Sequence, residues 1–300
     1  MRLLNASGCL DALAAPEVAR GLDTYVTKTV TPLPREGNAP IRIAETDVGM
    51  LNAIGLANPG VAEFVADHLP RLAELGVPLW VSVGGFCVDD YVDVAEQVGA
   101  VDIVETLELN LSCPNVDEVP ENVGEVVAAV RAVTAKPLYA KLSAAVPDLA
   151  ATARAAEAAG ADGLSLVNTL RGLALDERTL RPILDRATGG LSGPALRPVA
   201  LAAVHACVRG TRLPIVGMGG VASGRHAVEL LAVGASDVAI GTALFSNPAA
   251  VERIRSELEA ELAALGFVNA DNAVGAAHAP LDPTLDPTSS VLSQKALHIG

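Results

Sequence analysis

The amino-acid sequence predicts an α/β protein folded as a single (β/α)₈ barrel, the TIM-barrel architecture. Three observations lead to this prediction: eight short apolar segments recur along the chain, helical patterns lie between most of them, and polar residues follow six of them. Eight strands with intervening helices are typical of this barrel, although a doubly wound parallel sheet would give the same alternation. The predicted strands are residues 3–6, 25–28, 79–83, 106–110, 138–141, 163–167, 214–218 and 237–240.

Amphipathic helical patterns separate most of these strands. Several of the helices run into a glycine, at Gly99, Gly160 and Gly234, where we expect a left-handed C-cap. The predicted helices are residues 88–98, 123–133, 149–159, 198–208 and 225–233.

Two segments are longer than a simple strand-to-helix connection requires. Residues 29–58 and 170–193 are such segments, and insertions at the carboxyl ends of barrel strands commonly shape the ligand site. From about Val268 onward the periodic pattern gives way to Pro, Asp, Thr and Ser. We therefore expect residues 1–267 to form the barrel domain and residues 268–300 to form a disordered tail.

Composition argues against several classes of function. The net charge of −14 argues against a nucleic-acid surface, because phosphate contacts need clustered Lys and Arg. No apolar stretch approaches the roughly 20 residues needed to cross a bilayer, and the first residues do not form a signal peptide, so we expect a cytoplasmic protein. The Cys and His residues lack ligand spacing, which argues against a metal site or a disulfide framework. The cysteines are Cys9, Cys87, Cys113 and Cys207.

Polar residues and glycines follow the predicted strands at the ends that converge on one mouth of a barrel. In a (β/α)₈ barrel this carboxyl-terminal face carries the active site. A single strand-end Lys is usually solvated and a single strand-end Asn usually satisfies a loop, but agreement at six strands favours a site. The residues are Ser7, Lys28, Asn110, Lys141, Asn168, Gly219, Gly220, Gly241 and Thr242.

The most specific segment of the chain is residues 108–115, which read Glu-Leu-Asn-Leu-Ser-Cys-Pro-Asn. Taken alone, a Cys after an apolar strand is more often a small buried residue than a catalyst. Cys113, however, is flanked by Asn110 and Asn115 in a predicted loop, and a thiol near cations can lose its proton and act as a base. Residues 52–58 and the pair Asn168–Thr169 would supply amide groups suited to a flat polar ring.

The glycines after the last two strands indicate an anion site. Residues 217–220 (Gly-Met-Gly-Gly) and 241–242 (Gly-Thr) allow backbone N–H groups to approach an anion closely, and the following helix N-termini add positive potential. Barrels often build a phosphate site from these two loops. One glycine-rich turn is weak evidence, but the pair at the last two strands is considerably stronger.

With these segments in place, the sequence resembles the class 1 dihydroorotate dehydrogenases, and most closely the catalytic subunit of the NAD-linked type 1B. The resemblance runs from about Asn5 to Gly266. It is carried by residues 110–115, by residues 52–56 (Asn-Ala-Ile-Gly-Leu) and by residues 168–194. It implies FMN-dependent oxidation of dihydroorotate to orotate in pyrimidine biosynthesis, a homodimer, and a partner subunit that carries FAD and an iron–sulfur cluster.

The resemblance also implies roles for individual residues. Cys113 would take the proton from C5 of dihydroorotate, while hydride passes from C6 to N5 of FMN. Lys28 would lie between flavin and substrate and hold the carboxylate, and Lys141 would lie at the flavin N1/C2 carbonyl edge, where positive charge stabilises the reduced anion. The other substrate contacts would be Asn52, Ile54, Gly55, Leu56, Asn110, Asn115, Asn168 and Thr169. The other FMN contacts would be Ser7, Thr29, Asn110, Val167, Gly193, Gly219, Gly220, Gly241 and Thr242, the last four around the phosphate.

The sequence departs from the family at four places. The chain begins almost inside the first strand, without the hairpin that covers the barrel bottom, so we expect either an upstream start or an open floor. Ser82 stands where the family usually has Asn near the flavin, and residues 143–145 lack an expected Pro-Asn. The loop of residues 116–123 is several residues shorter than in the family, and a short lid would slow closure, admit water or shift substrate choice.

Other interpretations keep the barrel. An FMN-barrel oxidoreductase for another dihydropyrimidine would keep Cys113 and Lys141 but change the Asn residues that would hydrogen-bond the pyrimidine ring. Those Asn residues are present here, which favours orotate. A divergent, non-catalytic barrel that binds FMN or a pyrimidine would explain the short loop but not Cys113 and Lys28. A phosphate-binding lyase or isomerase would explain only the glycines.

The electron acceptor stays open at this point. The chain has no Gly-x-Gly-x-x-Gly turn for NAD, and its cysteines cannot ligate a cluster at their spacings. NAD⁺ through a partner subunit, fumarate and oxygen are the alternatives.

Overall fold

A computed structural model describes residues 1–111 and 122–278. Eight parallel strands, β1, β2, β5 to β8, β11 and β12, form the barrel, and an isolated parallel bridge between Leu4 and Thr24 joins β1 to β2. The strands of the described residues are β1 (Leu3–Asn5), β2 (Tyr25–Val26), β3 (Ile43–Thr46), β4 (Gly49–Asn52), β5 (Leu79–Val83), β6 (Val104–Asn110), β7 (Leu138–Leu142), β8 (Gly163–Leu166), β9 (Leu170–Leu173), β10 (Thr188–Ser192), β11 (Ile215–Met218) and β12 (Asp237–Ile240).

Helices cover the outside of the barrel and pack against their neighbours around the ring. The α-helices of the described residues are α1 (Pro16–Arg20), α2 (Val61–Glu63), α3 (Leu69–Ala73), α4 (Val88–Gly99), α5 (Val123–Val133), α6 (Leu149–Ala158), α7 (Arg197–Val208), α8 (Gly224–Ala232), α9 (Ala243–Ser246), α10 (Ala250–Ala264) and α11 (Ala270–Ala273). A π-helical segment, Phe64–His68, joins α2 to α3.

The predicted barrel is confirmed, and each predicted strand and helix differs from the observed one only at its ends. Strands such as β5, β7 and β11 are buried along their whole length, because helices cover one face and the barrel interior covers the other. A strand that is buried on both faces reads as a continuous apolar run, and this is the pattern that located it in the sequence.

The helix ends agree with prediction at two glycines and differ at the third. Gly160 and Gly234 follow α6 and α8 with φ of +100° and +112°, as a left-handed cap requires. Gly99 is instead the last residue of α4, and Ala100 caps that helix with right-handed backbone. The prediction of a left-handed cap at Gly99 was therefore wrong.

The two long insertions pair with each other above the barrel mouth. Strands β3 and β4 come from the first insertion and β9 and β10 from the second, and they form one antiparallel sheet in the order β3-β4-β10-β9. Asn52, at the end of β4, lies opposite Gly190 of β10. This sheet therefore places Asn52 and the turn that follows it over the carboxyl ends of the barrel strands.

The lower interior of the barrel is filled by large side chains. Trp80 and Tyr139 are 1% and 7% exposed, and their ring centroids lie 4.5 Å apart. The guanidinium of Arg2 lies 5.0 Å from the Trp80 ring and pairs with Asp237 at the start of β12. Within the described residues, these side chains therefore fill the end of the barrel for which an open floor was one of two expectations.

The chain remains ordered beyond the predicted end of the barrel domain. Helix α11 contacts α8, and the Gly275 N–H donates a hydrogen bond to the Leu231 carbonyl. The described part of the predicted tail thus packs on the barrel as far as His278, and residues 279–300 lie outside the described residues. In residues 1–111 and 122–278, the structure contains no helix long and apolar enough to span a membrane.

Candidate active site

A cavity of about 290 Å³ lies at the carboxyl ends of the barrel strands, under the antiparallel sheet. Every predicted site residue within the described residues lines this cavity. They are Ser7, Lys28, Thr29, Asn52, Ile54, Gly55, Leu56, Asn110, Lys141, Val167, Asn168, Thr169, Gly193, Gly219, Gly220, Gly241 and Thr242. Cys113 and Asn115 fall in residues 112–121, outside the described residues, as does most of the loop predicted to act as a lid. The structure thus brings the other predicted residues together, and their individual roles stay predictions.

The charge of the cavity is opposite to that of the whole chain. Among its described lining residues, Lys28 and Lys141 are the charged ones, and none is Asp or Glu. The net charge of the chain is −14. A cleft with low-dielectric walls concentrates the field of the charges that line it, so this cavity favours anionic ligands.

Lys141 is held at the floor of the cavity by a buried ion pair. Its side chain, on β7, is 7% exposed, and its Nζ lies 3.3 Å from Oε1 of Glu108, which is on β6 and 1% exposed. Removing two charges from water is costly unless they compensate each other closely. Glu108 and Lys141 therefore compensate each other at a depth where water does not.

A chain of hydrogen bonds fixes two of the asparagines that line the cavity, Asn110 and Asn168. Asn168 Nδ2 donates to Asn110 Oδ1 over 3.1 Å, and Asn110 Nδ2 donates to Thr29 Oγ1 over 3.1 Å. The hydroxyls of Thr29 and Ser82 are 3.0 Å apart. Each amide carries two donors and one oxygen acceptor, so these bonds set which way both amides point. Ser82 does not line the cavity and acts on it through Thr29.

The turn after β4 carries strained backbone. Leu56, which is 4% exposed, has φ of +58°, a conformation that costs a branched residue of order 1 kcal/mol or more. Asn38 braces the turn: its N–H donates to the Ile54 carbonyl and its Nδ2 donates to the Ala53 carbonyl. Strain of this kind is found where ligands are held, which supports the backbone role predicted for residues 54–56.

The two glycine loops form a cradle beside the first turns of α8 and α9. Gly220 has φ of +70°, and a Cβ there would lie 2.8 Å from the Gly193 carbonyl oxygen, so the protein itself requires glycine. Gly241 differs, because a Cβ would meet nothing closer than 3.7 Å, at Ala6 and Cys9. The fold leaves space at Gly241 that a ligand would fill, which fits the predicted phosphate position.

Sequence reasoning missed several residues around the cavity. Ile43 and Met50 line it from the antiparallel sheet, whose pairing was not predicted, and Phe245 lines it from α9. Tyr91, on α4 and 1% exposed, donates from its hydroxyl to the Asn110 carbonyl over 2.7 Å. In the sequence, Tyr91 is one more apolar position in the periodic pattern of the predicted helix. Nothing in that pattern indicates its hydrogen bond to Asn110.

Cys9 is a further missed residue, and its chemistry differs from that predicted for Cys113. It lines the cavity close to Gly241. Burial raises the pKa of the Cys9 thiol, and the charges of Lys141 and Lys28 lower it only in part. We therefore expect Cys9 to be a neutral thiol in the cavity wall rather than a base.

The fold and the site together define a (β/α)₈-barrel protein whose cationic, glycine-edged cavity suits an anionic ligand. The sequence family described as dihydroorotate dehydrogenase matches residues 2–262. The chain belongs to the dihydroorotate dehydrogenase family.

Curated relatives agree with this assignment, and a solved structure agrees with the fold. The chain is 46% identical over 265 residues to the dihydroorotate dehydrogenase B (NAD(+)) catalytic subunit of Desulforudis audaxviator, covering 86% of each chain. It is 43% identical over 283 residues to the protein of the same name from Bacillus pumilus, covering 91% of each. A crystal structure of Eimeria tenella dihydroorotate dehydrogenase in complex with ferulenol superposes with a TM-score of 0.78 at 24% identity, covering 93% of this chain and 85% of that one. At that identity the superposition supports the fold alone.

Proposed function

We propose that the protein oxidises dihydroorotate to orotate with bound FMN, as an oxidoreductase of pyrimidine biosynthesis. The observation that carries this proposal is the cavity itself, which gathers every described residue assigned to substrate or FMN. Membership of the dihydroorotate dehydrogenase family and the names of the relatives support the same activity.

The residues of the cavity fit FMN. The cradle around Gly219, Gly220, Gly241 and Thr242 would hold its phosphate through backbone N–H groups. Ser7, Thr29, Val167, Gly193 and Lys141 would hold the rest of the cofactor, with Lys141 at its N1/C2 carbonyl edge. FMN, when bound, supplies the site that accepts a hydride. The space that the fold leaves at Gly241 supports this placement.

The remaining residues would hold dihydroorotate. Lys28 would pair with the substrate carboxylate, and the locked amides of Asn110 and Asn168 would bond its ring. Asn52, Asn115, Thr169 and the backbone of residues 54–56 would complete the contacts. Cys113 would take the proton from C5 while the C6–H bond breaks toward the flavin. Because the amides are held before the substrate arrives, little reorganisation would be needed in the transition state.

A partner subunit is part of the proposal. The relatives are named as catalytic subunits of an NAD(+)-linked enzyme, and the chain lacks an NAD fingerprint of its own. We infer a partner that carries FAD and an iron–sulfur cluster and passes electrons to NAD⁺. A homodimer of this chain, a cytoplasmic location and division of the chain near residue 267 also stay predictions.

Gly241→Ala tests the phosphate position. Because the added Cβ meets no protein atom closer than 3.7 Å, the apo protein should keep its Tm, whereas FMN affinity should fall at least tenfold, since the methyl group occupies space meant for the ligand. FMN fluorescence titration of the apo protein measures the affinity. Gly124→Ala, on α5 and away from the cavity, is the matched control and should bind FMN normally. If both variants bind FMN with the same affinity, the phosphate of FMN does not bind at Gly241.

Substrate choice tests the proposed reaction against the other dihydropyrimidine interpretation. With an artificial electron acceptor, the FMN-loaded protein should oxidise dihydroorotate at least about tenfold faster, in kcat/KM, than dihydrouracil, which lacks the carboxylate that Lys28 would hold. A charge-assisted hydrogen bond in a desolvated site is worth about 1.5–3 kcal/mol, roughly a 10- to 150-fold effect. Equal turnover of both compounds would contradict orotate as the product for which this site is built.

A further inference from the structure

Glu108 has no role in the proposed reaction, although it lies directly behind the cavity. It is 1% exposed and does not line the cavity, and within residues 1–111 and 122–278 its ion pair with Lys141 links it to the cavity lining. The ion pair crosses between neighbouring strands: Glu108 is on β6 opposite Tyr139, and Lys141 is on β7 opposite Asn110. The carboxylate is thus fixed by the barrel frame rather than by a mobile loop.

The field of Glu108 reaches into the cavity. Lys28 and Lys141 provide the positive charge of the described lining, and Glu108 is the negative charge adjoining Lys141. The thiol of Cys9, in the cavity wall, responds to all three charges: Lys141 and Lys28 lower its pKa and Glu108 raises it, while burial has the largest effect. A group that occupies the cavity would therefore experience Lys141 and Glu108 together.

We propose that Glu108 is a positioning residue that holds Lys141 and offsets part of its charge, and thereby keeps the reduction potential of the bound flavin lower than Lys141 alone would set it. This inference rests on the proposed function. In the proposed reaction the C6–H bond of dihydroorotate would break with both electrons leaving as a hydride, which FMN would accept, and Cys113 would take the C5 proton. Reduction would add negative charge at the flavin edge, which the ammonium of Lys141 would stabilise and the carboxylate of Glu108 would oppose.

The offset would affect both the reduction and the reoxidation of the flavin. A flavin with a very high potential would accept the hydride readily but would pass its electrons on slowly. Because Lys141 is paired with Glu108, its ammonium would lie at the flavin edge with part of its positive charge compensated. Glu108 would thus balance the two halves of the catalytic cycle.

The test is the two-electron reduction potential of FMN bound to Glu108→Gln, measured anaerobically by equilibration with reference dyes. Gln preserves shape and removes the charge, so the ratio of reduced to oxidised flavin at a fixed potential should rise at least tenfold, equivalent to about +30 mV for a two-electron couple. Asp237→Asn is the matched control. Asp237 is also a buried barrel carboxylate paired with a cation, but it lies at the opposite end of the strands, so its variant should keep the wild-type potential.

A second variant separates the effect of the charge from a purely structural effect. Glu108→Asp keeps the charge but withdraws it from Lys141, and its potential should lie between those of wild type and Glu108→Gln. If the reduction potential of Glu108→Gln is unchanged or lower, the proposal is overturned. If Glu108→Gln does not fold and Glu108→Asp does, an unchanged potential in Glu108→Asp overturns it. The dye measurement does not use dihydroorotate, so its outcome is independent of whether dihydroorotate is the substrate.

Discussion

Cys113→Ala is expected to retain FMN and to slow the reduction of the flavin by dihydroorotate by roughly 10²–10⁴-fold, the usual contribution of a positioned general base. The C5 proton then has no acceptor, although the substrate is still held by Lys28 and the asparagines. Anaerobic stopped-flow spectroscopy of the flavin band measures this step apart from reoxidation.

The control for this variant is Cys87→Ala. Cys87 is exposed at the start of α4 and does not line the cavity, so its removal should leave the reduction rate unchanged. A normal rate in Cys113→Ala would remove Cys113 from the mechanism and would favour a non-thiol base.

Lys141→Met is expected to destabilise the apo protein by about 3–5 kcal/mol, the usual cost of removing one partner from a buried ion pair. The substitution leaves the carboxylate of Glu108, 1% exposed, without the ammonium that compensates it. Urea unfolding of the apo protein measures this loss. FMN retention and flavin reduction should fall as well, because the cation proposed for the flavin edge is gone.

Lys136→Met is the matched control for Lys141→Met. Lys136 lies just before β7, and its Nζ makes an exposed, long contact of 3.5 Å with the Asp102 carbonyl. Its replacement should change stability by less than about 0.5 kcal/mol, as for most surface substitutions. If Lys141→Met were as stable as this control, the stabilising role of the buried ion pair would be wrong. If it also kept FMN, the placement of the flavin beside β7 would be wrong.

The sequence predicted the barrel well because its strands are buried on both faces. Each of these strands is a short apolar run, and the residue that follows it must lie at the mouth of the barrel. Lys28, Asn110, Lys141 and Asn168 were therefore found from position alone, before any geometry was available. The resemblance to a family added the residues that position does not mark, such as Ile54.

What the sequence did not predict depends on contacts between distant segments. The antiparallel sheet pairs residues near 50 with residues near 190, and such pairing leaves no periodic signal within either segment. The brace from Asn38 to residues 53–54 and the pairing of Glu108 with Lys141 are of the same kind. The helix that was predicted to end at residue 98 extends one residue further, to Gly99, because the exact last residue of a helix is set by local packing rather than by the glycine alone.

The decisive measurement is an anaerobic visible spectrum of the FMN-loaded protein before and after dihydroorotate is added. We expect an oxidised flavin spectrum that bleaches on addition, with one orotate formed per flavin. A flavin that binds but stays oxidised would contradict the proposed substrate, and a protein that cannot be loaded with FMN would contradict the proposed site.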